Sequence, residues 1–161
     1  TAVVFAVSDT AANIAASSNA ALDEATTVTA SDTATTAQAD TISAFATAVV
    51  YNVSGTASQI VAATAAARNE AVNITITDTA TIAQATTAED ATNSGTVTVA
   101  TITDTAANIA ASTNAVIANS TGAVTSSNTA TVAQATTIDA FAKAVVFAVS
   151  DTAANIAASS S

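Results

Sequence analysis

The segment Val7-Ser8-Asp9-Thr10-Ala11-Ala12-Asn13-Ile14-Ala15-Ala16 decides how this chain is read, because the Asp-Thr-Ala triplet at its centre recurs. Variants of the triplet begin at Asp9, Asp32, Gly55, Asp78, Asp104, Asn128 and Asp151, spaced 23, 23, 23, 26, 24 and 23 residues apart. Seven copies at so regular a period identify a repeat array, in which each unit buries its apolar side by stacking on the next. The copies fall at about 1–23, 24–46, 47–69, 70–95, 96–119, 120–142 and 143–161, forming one array over residues 1–161. Residues 2–18 return unchanged at 144–160, so the reading expects a piece of a longer array.

A longer period lies over the first. Odd copies read Asp-Thr-Ala-Ala-Asn-Ile at Asp9 to Ile14, Asp104 to Ile109 and Asp151 to Ile156, with Gly55 to Ile60 divergent. Even copies read Thr-Ala-Thr-x-Ala-Gln-Ala at Thr33 to Ala39, Thr79 to Ala85 and Thr129 to Ala135. The unit is therefore a pair of copies.

Within a copy the hydrophobic period switches. Alternating or β-branched runs at Ala2 to Ser8, Thr26 to Ala30, Val49 to Ser54, Asn73 to Thr77, Thr96 to Thr103 and Ala144 to Ser150 predict strands. Ala-rich stretches with helical spacing follow the motif. Ile14, Ser18 and Leu22 fall on one face, as do Ile109, Thr113 and Ile117. In even copies the faces are Ala39, Ile42 and Phe45, and Val132, Ala135, Ile138 and Phe141.

The junction chemistry agrees. Asp9, Asp32, Gly55, Asp78, Asp104, Asn128 and Asp151 are residue types suited to helix caps and tight turns. Thr35 with Gln38, Thr81 with Gln84, and Thr131 with Gln134 each read as a capping box. The expected fold is an α/β solenoid: seven stacked coils of about 23 residues, each strand, turn and short helix, with a continuous parallel β-sheet. The alternative is an all-β parallel solenoid with the Ala-rich segments extended.

Composition narrows the function. Half the chain is hydrophobic, but aromatics are only 3%, so the core must be thin and built on close backbone approach. There is no Cys, His, Met or Pro, which removes disulfides, thiolate or imidazole zinc sites and the commonest general base. Twelve acids face two bases, Arg68 and Lys143. A net charge of −10 repels nucleic acid and anionic lipid, and no apolar run is long enough to span a bilayer. Nucleic-acid binding, membrane insertion and enzymatic activity are not expected.

The odd segment Val7 to Ala16 and its even partner, Ala133-Gln134-Ala135 through Ile138-Asp139-Ala140-Phe141-Ala142-Lys143, resemble the degenerate repeats of very large secreted bacterial exoproteins. The resemblance implies type I secretion substrates, adhesins, and surface-layer or sheath proteins. Secretion or cell-surface display follows as an expectation. So does a self-associating filament, sheath, surface lattice or adhesin stalk, assembled end to end from copies of itself.

Three ligand-binding alternatives use the same coils. Asp9, Asp32, Asp78, Asp104 and Asp151 would form a carboxylate ladder for calcium, although Gly55 and Asn128 interrupt it and capping explains the row better. Thr-x-Thr pairs at Thr27/Thr29, Thr33/Thr35, Thr75/Thr77, Thr79/Thr81, Thr96/Thr98, Thr101/Thr103 and Thr129/Thr131 suit an ice-binding ladder, although Thr is also simply a good strand residue. A glycan partner is the third alternative, and exposed Ser and Thr are acceptors for O-linked sugars. No cofactor beyond calcium is expected.

Overall fold

The computed structural model describes residues 5–159. Strands and helices alternate along it. The first two coils contain β1 (Phe5–Asp9), α1 (Ala11–Ala16), α2 (Asn19–Leu22), β2 (Ala25–Thr35) and α3 (Thr36–Ile42). The next two contain β3 (Val49–Gly55), α4 (Ala57–Ala62), α5 (Ala65–Glu70), β4 (Ile74–Ala80) and α6 (Ile82–Glu89). The last three contain β5 (Val97–Asp104), α7 (Ala106–Ala110), α8 (Asn114–Ala118), β6 (Val124–Ser126), α9 (Val132–Asp139), β7 (Val145–Val146) and α10 (Ala153–Ser159).

All seven strands join one parallel sheet in chain order, β1-β2-β3-β4-β5-β6-β7. The sheet is open: among the described residues β1 pairs only with β2, and β7 only with β6. Parallel neighbours need a crossover, and the Ala-rich segments supply it as helices. That sets aside the all-β alternative. Alanine favours the helix because it loses no side-chain entropy, and the Thr before each stretch starts it.

Strand side chains alternate between a buried face and an open one. Val28, Val53, Ile74, Ile76, Val99, Ile102 and Val124 point into the core. There they join helix residues such as Ile14, Ile42, Ile60, Ile109 and Ile138. Alanines fill the remaining contacts: Ala11, Ala57 and Ala106 open odd-copy helices, and Ala34, Ala80 and Ala130 precede the even-copy cap threonines. Helices pack two coils at a time, α1 on α3, α3 on α5, α4 on α6, α6 on α8, and α7 on α9. Small side chains let these helices approach closely enough to follow strands about 4.8 Å apart. Tyr51 is the largest fully buried side chain, and its hydroxyl donates to Ala67 O at 2.9 Å.

Several expectations need correction. Copies one, three and five carry two short helices, not one. Ser17 ends α1 by turning both its N–H (3.0 Å) and its Oγ (2.7 Å) onto Ile14 O. Thr64 and Thr113 then cap new helices, accepting from Ala67 N at 3.1 Å and Val116 N at 3.4 Å. Ile14 and Leu22, or Ile109 and Ile117, therefore reach the core from separate helices, while Ser18 and Thr113 are exposed. In copies two and four the strand runs on through the motif. β2 extends to Thr35 and β4 to Ala80, because each carries a bulge at the motif Asp.

Three residues of β2, Ala30 to Asp32, lie opposite Tyr51, and two of β4, Thr77 and Asp78, lie opposite Ala100. The sixth copy, expected to carry a strand but without a run singled out for it, supplies the short β6, preceded by Thr121-Gly122. Of Ala144 to Ser150, only Val145–Val146 and a bridge from Val149 to Ala130 pair with β6 and its coil. Ala2 to Val4 of the first predicted strand lie outside the described residues.

Candidate functional site

The motif residues form a ladder of caps, but not in the places sequence spacing suggests. The helix N-cap is a threonine in every coil. Thr10, Thr35, Thr56, Thr81, Thr105, Thr131 and Thr152 each accept an N–H from three residues on, at 3.2–3.3 Å. Asp9, Gly55, Asp104 and Asp151 stand one residue before that cap, and Asp32, Asp78 and Asn128 three before it. A residue so placed cannot satisfy its own helix's first amide donors. Its carboxylate or amide is free to reach the neighbouring coil.

It does so at five of the six junctions. Asp32 Oδ1 accepts from Ala11 N at 2.6 Å, Asp78 Oδ1 from Ala57 N at 2.7 Å, and Asp104 Oδ2 from Ile82 N at 2.9 Å. Asn128 Oδ1 accepts from Ala106 N at 2.7 Å, and Asp151 Oδ2 from Val132 N at 3.0 Å. In each case the donor is the first helical residue of the coil before, one of the amides a helix leaves without an internal acceptor. Each coil thus finishes the helix of its predecessor. The exception is Gly55, which has no side chain to offer to Thr36. The bulges at Asp32 and Asp78 re-aim those side chains toward the preceding helix.

The capping boxes at Thr35–Gln38, Thr81–Gln84 and Thr131–Gln134 are formed as expected. A fourth occurs at Thr56–Gln59. Its Thr-x-x-Gln signal was legible, but it sits in an odd copy. In the other odd copies Asn takes that position, and Asn13, Asn108 and Asn155 donate through Nδ2 to Asp9, Asp104 and Asp151 at 2.7–2.8 Å.

These bonds tune the carboxylates. Asn13, followed by Thr10 N–H, holds Asp9 below the ordinary carboxyl value of 3.8. Partial burial pulls Asp104 upward, but Asn108 and the Ile82 and Thr105 amides together outweigh it and leave the group lowered. Asp151 is lowered by Val132 N–H, then Asn155, then Thr152 N–H. Burial, with Glu70 and Asp40 nearby, pushes the Tyr51 hydroxyl well above its usual range, so it stays a donor. Among the described residues no three acidic side chains gather as a metal site, and the Asp row is directed at backbone amides.

Hydroxyls and amides line the open face of the sheet. Thr98 Oγ1 donates to Thr75 Oγ1 at 3.2 Å, and Thr79 and Thr101 share a bond of 2.7 Å. Of the Thr-x-Thr pairs, Thr33/Thr35 and Thr96/Thr98 lie on that face. Thr27/Thr29 sit near its first edge, and Thr101/Thr103 continue it toward β6. Thr81 and Thr131 serve as helix caps, and so does Thr35 at the end of its strand. An open cleft of about 570 Å³ runs from Thr96 and Thr98 to Asn119 and Thr121, and Glu89 in its wall accepts a hydrogen bond from Asn119 Nδ2. Arg68 spends its guanidinium on the end of α4, where Nη1 donates to the carbonyls of Ile60 (3.1 Å), Val61 (3.2 Å) and Ala63.

Among the described residues no helix is long and apolar enough to cross a membrane. No protein-family model, curated protein or solved structure matches the chain.

Proposed function

We propose that the chain is an α/β solenoid segment with a structural role, associating coil on coil within and between copies of itself. The observation that carries this reading is the inter-coil cap. The first helical amide of one coil is satisfied by the Asx of the next, so a coil is complete only with another stacked upon it.

The outer coils offer matching halves of one more junction. Ile156 is 46% exposed where its counterparts Ile14, Ile60 and Ile109 are at most 1% exposed, and Val146 and Val149 are exposed beside it. At the other side Asp9, among the described residues, bonds through Oδ1, the oxygen that in Asp104 and Asp151 also serves the home coil, while their Oδ2 serves the neighbour. Open strand edges and apolar coil faces favour head-to-tail stacking, and contacts that do not close build filaments. A secreted filament, sheath, surface lattice or adhesin stalk is the setting that the exoprotein-like repeats suggest.

Electron microscopy and light scattering of the purified chain test this, with and without a calcium chelator. Filaments or concentration-dependent growth, weakened by Asp9→Ala, are expected. Growth that chelator abolishes would make calcium part of the junction. Monomers at every concentration would refute self-association.

A further inference from the structure

We infer that the open face of the sheet across coils two to five binds ice. This stands apart from coil-on-coil association and rests on a different set of side chains.

Two polar rows run in register across β2 to β5, with Asn73 and Thr96 standing one residue before their strands. In the first, Thr33 lies opposite Asn52, Asn73 bonds to Asn52 Oδ1 through both its N–H (3.2 Å) and its Nδ2 (2.9 Å), and Thr96 donates to Asn73 Oδ1. In the second, Thr35 lies opposite Ser54, Ser54 opposite Thr75, and Thr75 opposite Thr98. Ala34, Val53 and Ile74, which separate the rows, are buried on the other face. Parallel pairing repeats the polar groups about every 4.8 Å across strands, and two residues along a strand is about 6.6 Å.

None of these eight residues is charged, although the chain carries a net charge of −10. The motif carboxylates bordering the rows, Asp32 and Asp78, are turned onto helix amides of the preceding coils, and Glu89, which lines a cleft with Thr96 and Thr98, accepts from Asn119 Nδ2.

Such a lattice holds water in register. Thr and its neighbours have little rotamer freedom to lose, because β-branching and cross-strand bonds fix them. Immobilising first-shell water molecules one at a time carries an entropy cost for each. A face that already repeats its donors, acceptors and methyl groups spreads that ordering over many sites at once. A small dissolved ligand would touch one or two rungs, whereas an extended crystal surface engages all of them multivalently. Sugars are commonly held by aromatic stacking, and no aromatic ring belongs to the two rows.

Partitioning of the intact 161-residue chain into slowly grown ice, together with ice-recrystallisation assays, tests the inference. The expected result is severalfold enrichment of the wild type in ice over an excluded carrier protein. Thr75→Lys and Thr33→Lys should each drop to the excluded level. Thr33 is exposed and its hydroxyl makes no hydrogen bond among the described residues, so that variant keeps its fold. Thr41→Lys, on the exposed side of α3, should partition as the wild type does. Thermal melts by circular dichroism confirm that each variant is folded. Exclusion of the wild type from ice overturns the inference, as does equal enrichment of Thr33→Lys and Thr41→Lys.

Discussion

Odd and even coils solve one problem in two ways. Every helix begins with amides that have no acceptor inside it, and the N-cap threonine leaves its own N–H to be satisfied as well. In odd coils the preceding Asp does this: Thr10, Thr105 and Thr152 donate to Asp9, Asp104 and Asp151 at 2.7 Å. In even coils the acceptor is the Gln three residues on, at 2.8–2.9 Å for Thr35, Thr81 and Thr131. The length of the amide side chain tracks the choice. Gln is long enough to reach back to the cap, whereas the shorter Asn turns instead to the Asp before it.

Copy three proves the rule from within the chain. It has lost the Asp, since Gly55 stands there, and it carries Gln59 where other odd copies carry Asn. Thr56 N–H accordingly donates to Gln59 Oε1 at 2.9 Å. The two departures compensate each other.

The widest contrast is between identical residues in different coils. Ile109→Ala removes a fully buried side chain and should cost about 2–5 kcal/mol in urea unfolding, while Ile156→Ala, 46% exposed, should cost under about 0.5 kcal/mol. Equal losses would mean that the seventh coil is covered in solution. Next comes Tyr51→Phe, which leaves the Ala67 carbonyl without its buried donor and should cost about 1–3 kcal/mol.

The inter-coil cap is tested at Asn128. Replacement by Ala should lower stability by about 1 kcal/mol, and replacement by Asp, the residue used at four other junctions, should leave it nearly unchanged. Amide length is tested by Gln59→Asn, which strands Thr56 N–H in a coil with no Asp and should cost about 0.5–1 kcal/mol. Asn108→Gln, where Asp104 already takes Thr105 N–H, should cost less.

The smallest effect is with pH. Asp9, Asp104 and Asp151 titrate lower in the folded chain than in the unfolded one. Their contribution is therefore complete above the ordinary value of 3.8 and is lost as pH falls through the lowered folded values. A melting temperature that is flat near neutrality and drops only in acid below about pH 4 is the expected profile.

Much of this was legible in advance. The period, the strand-then-helix order, the parallel sheet and three of the capping boxes follow from local pattern, because β-branched runs, alanine runs and Thr-x-x-Gln act within a few residues. The break in the odd helices was harder to read, since Ile14, Ser18 and Leu22 keep helical spacing across it. The position of strand β6 is not legible because Gly122 and its serines weaken the pattern, and the strand exists through its pairing with β5 and β7.

Sequence alone thus determined a repeated strand-then-helix order and a thin, small-residue core, because periodicity and side-chain volume are local properties. Tertiary structure decided which coil each Asp serves and which polar residues share a row. Both depend on the register between coils, and a bulge of one or two residues at Asp32 or Asp78 changes that register without leaving a mark in the repeat spacing.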